Sequence, residues 1–437
     1  MTIKNTLTAA KNFLQLLWRY REARALRFHT RDALGRHQAA KIAAHLAWVA
    51  KNSPYYASYA NKPLDQWPII DKAEWMRSFD SMNTAGLNLA EVQALALKAE
   101  CTRDFAPTLG DYTVGLSSGT SGARGVFVAS SAERAQWAGL ALARLLPGKL
   151  FNGERVAFFL RANSNLYTSV ASPWLTFRFF DLVADFEQHL DPLQAYRPTV
   201  IVAPAQVLAQ LALAQRDRRL ALPKTRVISV AEVLEASDKE LLEQTFGAPE
   251  QIYQATEGFL AYTCPSGSVH LNEEYLHIEP CWVDAEHSRM MPIITDFTRK
   301  TQPLIRYKLN DVLAVNRTPC ACGNPSRVLS HIEGRNDDML VLPGPAGQVS
   351  VFADAMSRLL LQVLPLDMDY RLFQVGDAHL QLRCPLTVSE GEKALSHLQQ
   401  LLPKLGVDVS RMSFEHTCEA IAFDPTVKRR RIMRMHA

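Results

Sequence analysis

The sequence predicts an α/β protein of two unequal lobes: a large N-terminal lobe built mainly on parallel sheet with helices and a β-rich portion, and a small α+β C-terminal lobe. Three observations carry that expectation. Short apolar runs such as RVAFFL (155–160), PTVIVA (198–203) and TRVISV (225–230) alternate with helical stretches, as buried parallel strands do. Between residues 260 and 330 the strand-like runs shorten and turn residues multiply. After Met339 a unit of different texture begins and ends on a basic stretch, KRRRIMRMHA.

In chain order, residues 5–51 repeat apolar side chains at helical spacing (Phe13, Leu16, Leu17, Tyr20, then Ile42, Ala43, Leu46, Ala47), which predicts two or three helices. They belong to an N-terminal segment, 1–110, expected to pack on the large lobe. The core, 111–335, opens with VGLSSGTSGARGVF (114–127), then alternates its strands with helices over 132–146, 190–196 and 204–213. The small lobe, 336–437, carries a hairpin, RLFQVGDAHLQLRC (371–384), turning at Gly376-Asp377, a helix over 389–402 and a strand near 411–417.

Composition narrows the function classes. The 437 residues exceed one ordinary core, and 48% hydrophobic with 21% charged residues is globular usage. A net charge of +4 is too small to indicate nucleic acid. No apolar run reaches the roughly 20 residues of a spanning helix. The N-terminus lacks a compact apolar stretch with a cleavage site and reads as an amphipathic helix on its own domain; contact with a membrane surface is the alternative. Seven scattered cysteines argue against a disulfide framework and for a reducing compartment, so the cytoplasm is expected.

The chemistry gathers in a few stretches. The Gly/Ser/Thr loop offers many backbone N–H groups and hydroxyls, which suits an oxyanion or phosphate. It is neither GxxxxGK[ST] nor a GxGxxG turn opening a dinucleotide fold. YQATEG (253–258) sets a tyrosine, a threonine and a carboxylate together; RYKLND (306–311) ends on Asp311, a carboxylate suited to ribose hydroxyls. GRNDDML (334–340) falls at the expected boundary between lobes, and Lys428 lies in DPTVKRRRI near the end. Read alone, KRRRIMR is a solvated basic tail.

In this order, LSSGTSGARG, YQATEG, PLIRYKLND, GRNDDML and a C-terminal lysine resemble the motifs of the adenylate-forming superfamily of acyl-CoA synthetases, adenylation domains and luciferases. KNSPYYASY (51–59) and WPIIDKAEWMRSFD (67–80) look closest to the branch of phenylacetate–CoA ligases and deazaflavin-adenylating synthetases. The resemblance implies that Ser117, Ser118, Gly119, Thr120, Ser121 and Gly122, with Arg124, grip the β- and γ-phosphates of ATP. It sets Tyr253 against adenine, Thr256 and Glu257 at the α-phosphate and Mg²⁺, and Asp311 with Arg335 at the ribose. Asp337 is the hinge about which a mobile small lobe turns, and Lys428 bridges carboxylate and α-phosphate. The chain departs from the pattern in carrying Ala123-Arg124 in place of a lysine, Val427 in place of glycine before Lys428, and no Thr-Gly before Asp311.

Cys264, His270, Cys320 and Cys322 supply three thiolates and an imidazole, the donor set of a structural zinc, and some members of that branch carry a similar zinc; the alternative is four unrelated residues. By position in such folds, 163–177 lines the acyl pocket, where Tyr167, Trp174 and Phe177 suit an aryl or unsaturated acid and Arg161 a polar substituent. The resemblance thus implies an AMP-forming acid–thiol ligase using ATP and Mg²⁺, with CoA or a carrier-protein phosphopantetheine as acceptor. Two alternatives stay open, adenylation of a hydroxyl and a silent nucleotide-binding protein. Homodimerisation is a family expectation.

Overall fold

The computed structural model describes residues 3–105, 107–117, 124–146, 153–160 and 175–435, with side chains from Leu14 onward. Five strands, Leu175–Asp181, Glu154–Leu160, Val200–Ala203, Arg226–Ser229 and Glu250–Ala255, lie side by side in parallel. All four residues of Val200–Ala203 are buried, because helices cover both faces of this half-sheet.

The β-rich portion is the continuation of the same sheet. Glu250–Ala255 is parallel to Arg226–Ser229 on one edge and antiparallel to Gly258–Thr263 on the other. From there antiparallel pairing runs through Val269–Leu271, Val328–Arg335, Asp311–Asn316, Arg289–Asp296 and Leu276–Trp282. The expected α/β class holds, and the parallel part and the β-rich part are joined in one mixed sheet. The hairpin turn after Ala255 reverses the chain, and a two-residue turn permits only an antiparallel partner.

The helix Ser131–Leu145 starts on a capping box: the Ser130 hydroxyl accepts from the Glu133 amide at 3.3 Å, and the Glu133 carboxylate accepts from the Ser130 amide at 2.8 Å. That carboxylate also accepts from the Thr301 amide at 2.8 Å, which ties the helix start to the antiparallel half of the sheet. The N-terminal helix Ile3–Ala25 lies across it, with Leu16, Tyr20 and Ala23 buried. The crossing needs Gly139, where a Cβ would stand 2.5 Å from the Arg19 Cβ and 2.8 Å from the Tyr20 nitrogen. No helix among the described residues is long and apolar enough to cross a membrane.

The chain leaves the large sheet after Val328–Arg335 and, through the single turn Asn336–Asp338, enters a separate core. Two-stranded pairing of Leu340–Gly344 with Gly347–Val351 precedes the helix Ala353–Leu360. A four-stranded sheet follows, ordered Ser413–Cys418, His379–Cys384, Arg371–Val375 and Ile432–Met435, beside the helix Val388–Leu401. The C-terminal residues are not a solvated tail. Ile432–Met435 pairs in parallel with Arg371–Val375, and of the arginines before it Arg429 and Arg431 are turned onto the large lobe while Arg430 pairs with Asp338.

Candidate active site

Between the lobes lies a cavity of about 640 Å³ whose wall includes Lys72, Ser117, Tyr253, Glu257, Asp311 and Lys428. The strand Glu250–Ala255 delivers Tyr253, and the turn after it carries Thr256 and Glu257. That turn is held from below, since Arg299 donates to the carbonyl oxygens of Thr256 (2.9 Å) and Glu257 (3.1 Å). The Glu257 carboxylate accepts from the Tyr307 hydroxyl at 3.1 Å and faces the cavity.

Tyr253 donates its hydroxyl hydrogen to Asp311, and burial together with that carboxylate pushes the phenol well above its usual range. Asp311 heads the strand Asp311–Asn316 and is in register with Arg335, so strand pairing sets the two side by side. Asn310 donates to Asp337 at 2.6 Å, and Asp337 sits in the turn through which the chain passes into the small lobe.

Lys428 reaches the cavity from the small lobe. Burial and the neighbouring Arg335 hold it below the usual lysine range, although Asp311, Glu232 and Glu257 pull the other way. Lys72 of the large lobe lines the same cavity, at the first position of the helix Lys72–Arg77, which Asp71 caps by accepting from the Glu74 amide at 2.8 Å. Burial lowers Lys72 as well, against the pull of Glu257. In both lysines burial is the main cause of the depression, so an anion brought between them would restore the charged form.

Sequence reasoning assigned no role to Lys72, though the pattern WPIIDK flagged its position. Arg124, expected at the phosphates, does not line the cavity. Its guanidinium makes two contacts with Glu100, at 2.7 and 2.6 Å, and a third with the Ser117 carbonyl at 2.9 Å. Ser118, Gly119, Thr120, Ser121 and Gly122 lie outside the described residues, as do Arg161, Tyr167 and Trp174. Phe177 stacks on Phe158, with centroids 5.7 Å apart, and packs against the core beside the parallel strands.

Away from the cavity, Cys264, His270, Cys320 and Cys322 bring their donor atoms within 4.8 Å of one another. Cys264 Sγ lies 3.6 Å from Cys320 Sγ, and Cys322 Sγ 3.4 Å from His270 Nε2. His270 Nδ1 stands 3.0 Å from the Ser326 carbonyl, which only accepts, so that nitrogen carries the proton and Nε2 presents its lone pair to the thiols.

No protein-family model and no curated protein matches the sequence. Solved structures do. A 2-hydroxyisobutyryl-CoA ligase in its postadenylation state superposes with a TM-score of 0.66 at 17% identity, covering 92% of this chain and 88% of that one. The same ligase in its thioesterification state gives a TM-score of 0.50 at 17% identity, over 92% of this chain and 89% of that one. The amide bond synthetase McbA from Marinactinospora thermotolerans gives 0.52 at 15% identity, over 73% of this chain and 67% of that one. At these identities the likeness is one of architecture, and the chain has the fold that these ligases share.

Proposed function

We propose that this protein is an AMP-forming ligase that activates a carboxylic acid with ATP and passes the acyl group to a thiol. The observation that carries the reading is Lys428. A cation from the small lobe stands in the cavity that also holds Glu257, Tyr253 and Asp311 of the large lobe. In the first step a carboxylate oxygen attacks the α-phosphorus, the bond from that phosphorus to the bridging oxygen breaks, and pyrophosphate leaves. Two anions must meet, and Lys428 offsets their repulsion while stabilising charge that develops at phosphorus. In the second step a thiol sulfur attacks the acyl carbon, its proton goes to solvent, and AMP leaves with the former carboxylate oxygen. The acceptor thiol is CoA or a carrier-protein phosphopantetheine, and the acid is aryl or unsaturated.

Within this reading residues 1–110, 111–335 and 336–437 are the N-terminal segment, the adenylation core and the mobile lobe, with Asp337 the hinge. Ser117 to Gly122 meet the phosphates, Tyr253 the adenine, and Asp311 with Arg335 the ribose. Glu257, a hard oxygen donor facing the cavity, fits Mg²⁺ and would hold it with Thr256 nearby. Bound there, Mg²⁺ supplies positive charge at the phosphates. The four Cys/His side chains fit a structural zinc, since tetrahedral Zn–S bonds of about 2.3 Å and Zn–N bonds of about 2.0 Å place donors roughly 3.5–3.8 Å apart, close to the 3.6 and 3.4 Å seen.

The test is ATP–pyrophosphate exchange without thiol, across aryl, unsaturated and fatty acids. Acid-dependent exchange is the expected result. Silence over the whole panel, with ATP bound, would overturn carboxylate activation and favour hydroxyl adenylation or a non-catalytic role.

A further inference from the structure

The peptide groups on both sides of Lys428 are held by the large lobe. Gln206 donates from Nε2 to the Val427 carbonyl at 2.8 Å, and the Arg429 amide donates to Glu232 at 3.1 Å. Gln206 and Glu232 are themselves joined, through Nε2 at 2.7 Å and the Gln206 amide at 3.0 Å. One residue further, the Arg429 guanidinium is paired with Asp238, with side chains only 7% and 3% exposed. Arg431 reaches Asp238 at 3.4 Å, Glu235 at 3.2 Å and Ser237 at 2.9 Å, and on its own lobe Asp369 at 2.9 Å.

We propose that Gln206, Glu232 and Asp238 form a socket that receives the Val427–Arg431 segment and thereby aims Lys428 at the α-phosphate, making them positioning residues for adenylation. This rests on the functional reading above. Three considerations select it over incidental contact between lobes. The bonds are to the backbone on either side of Lys428, so they fix where its Cα sits irrespective of its side chain. Buried pairing is specific: an arginine withdrawn from Asp238 leaves an uncompensated buried carboxylate, so the segment has one stable seat on this surface. The socket also lies wholly on the large lobe, so a turn of the small lobe for thiol capture must empty it. Adenylation requires the socket filled, and thioester formation does not.

The experiment separates the half-reactions. Asp238→Asn keeps the shape of the side chain and removes its charge; Gln206→Leu removes the bond to Val427 without touching any charge. Wild-type protein is first assayed for ATP–pyrophosphate exchange with phenylacetate, benzoate, 2-hydroxyisobutyrate and hexanoate. With an acid that supports exchange, each variant is expected to lose at least tenfold in exchange. Its conversion of the corresponding preformed acyl-adenylate to the CoA thioester should stay within twofold of wild type or rise. Unchanged exchange overturns the proposal. So does an equal fall in both half-reactions, which marks general damage. If wild type itself is silent with every acid, the functional reading fails, and the socket is then judged by hydrogen–deuterium exchange at 427–431. Faster exchange there in both variants retains the docking contact, and unchanged protection removes it.

Discussion

Lys72 and Ser117 stand on either side of the same point. A Cβ placed at Gly125 would lie 3.4 Å from Lys72 Cε and 3.5 Å from Ser117 Oγ. The cation that meets this end of the Gly/Ser/Thr loop from inside the cavity is thus Lys72, from a helix some fifty residues upstream, while Arg124 is occupied by Glu100. Replacing Lys72 by methionine keeps the apolar stem and removes the charge. It is expected to raise the KM for ATP at least tenfold. Arg124→Ala should leave that KM within about threefold, because a half-exposed pair with Glu100 contributes only about 0–1 kcal/mol to stability. Steady-state kinetics in ATP on the two variants checks both, and equal effects would reject the assignment of Lys72.

Lys428→Ala should lower acid-dependent pyrophosphate exchange at least a hundredfold, the scale seen when one donor to developing charge is removed. ATP affinity, measured by calorimetry, should change little. Normal exchange would take Lys428 out of the mechanism.

His331, on the strand Val328–Arg335, lies 3.1 Å from Glu333 and 3.1 Å from Asp354 at the start of the small-lobe helix Ala353–Leu360. Arg289 backs Glu333 and Arg358 backs Asp354. Burial pulls the imidazole down, yet the two carboxylates carry it from 6.5 up to about 9. A folded-state value above the unfolded one stabilises fully below pH 6.5 and is lost as pH rises through 9. At about 1.4 kcal/mol per unit, the loss is on the order of 3–4 kcal/mol. Thermal unfolding of wild type and His331→Gln should therefore differ most near pH 6 and converge above pH 9. A gap that is constant with pH would rule out this linkage.

Purified protein should contain about one zinc per chain, absent from a Cys320→Ser/Cys322→Ser double variant and removable by a strong chelator with loss of thermal stability. Metal-free protein as stable as the loaded form would dismiss the site.

Much of this was legible in the sequence, for reasons particular to each element. The strands Glu154–Leu160, Val200–Ala203 and Arg226–Ser229 announce themselves because burial on both faces demands unbroken apolar runs. The helix Val388–Leu401 shows in its spacing, a property of neighbours along the chain. Cys320-Ala-Cys322 with Cys264 and His270 could be picked out because metal donors are few residue types at short spacings.

What only the tertiary structure decided is who pairs with whom across long separations. No local pattern says that Arg124 turns to Glu100, that Lys72 faces Glu257, or that a basic stretch at the C-terminus is seated on Asp238. Periodicity and turn chemistry act over a few residues and are written in order along the chain. The partner of a charge is chosen by burial and distance after folding, among residues that may be nearly two hundred positions away.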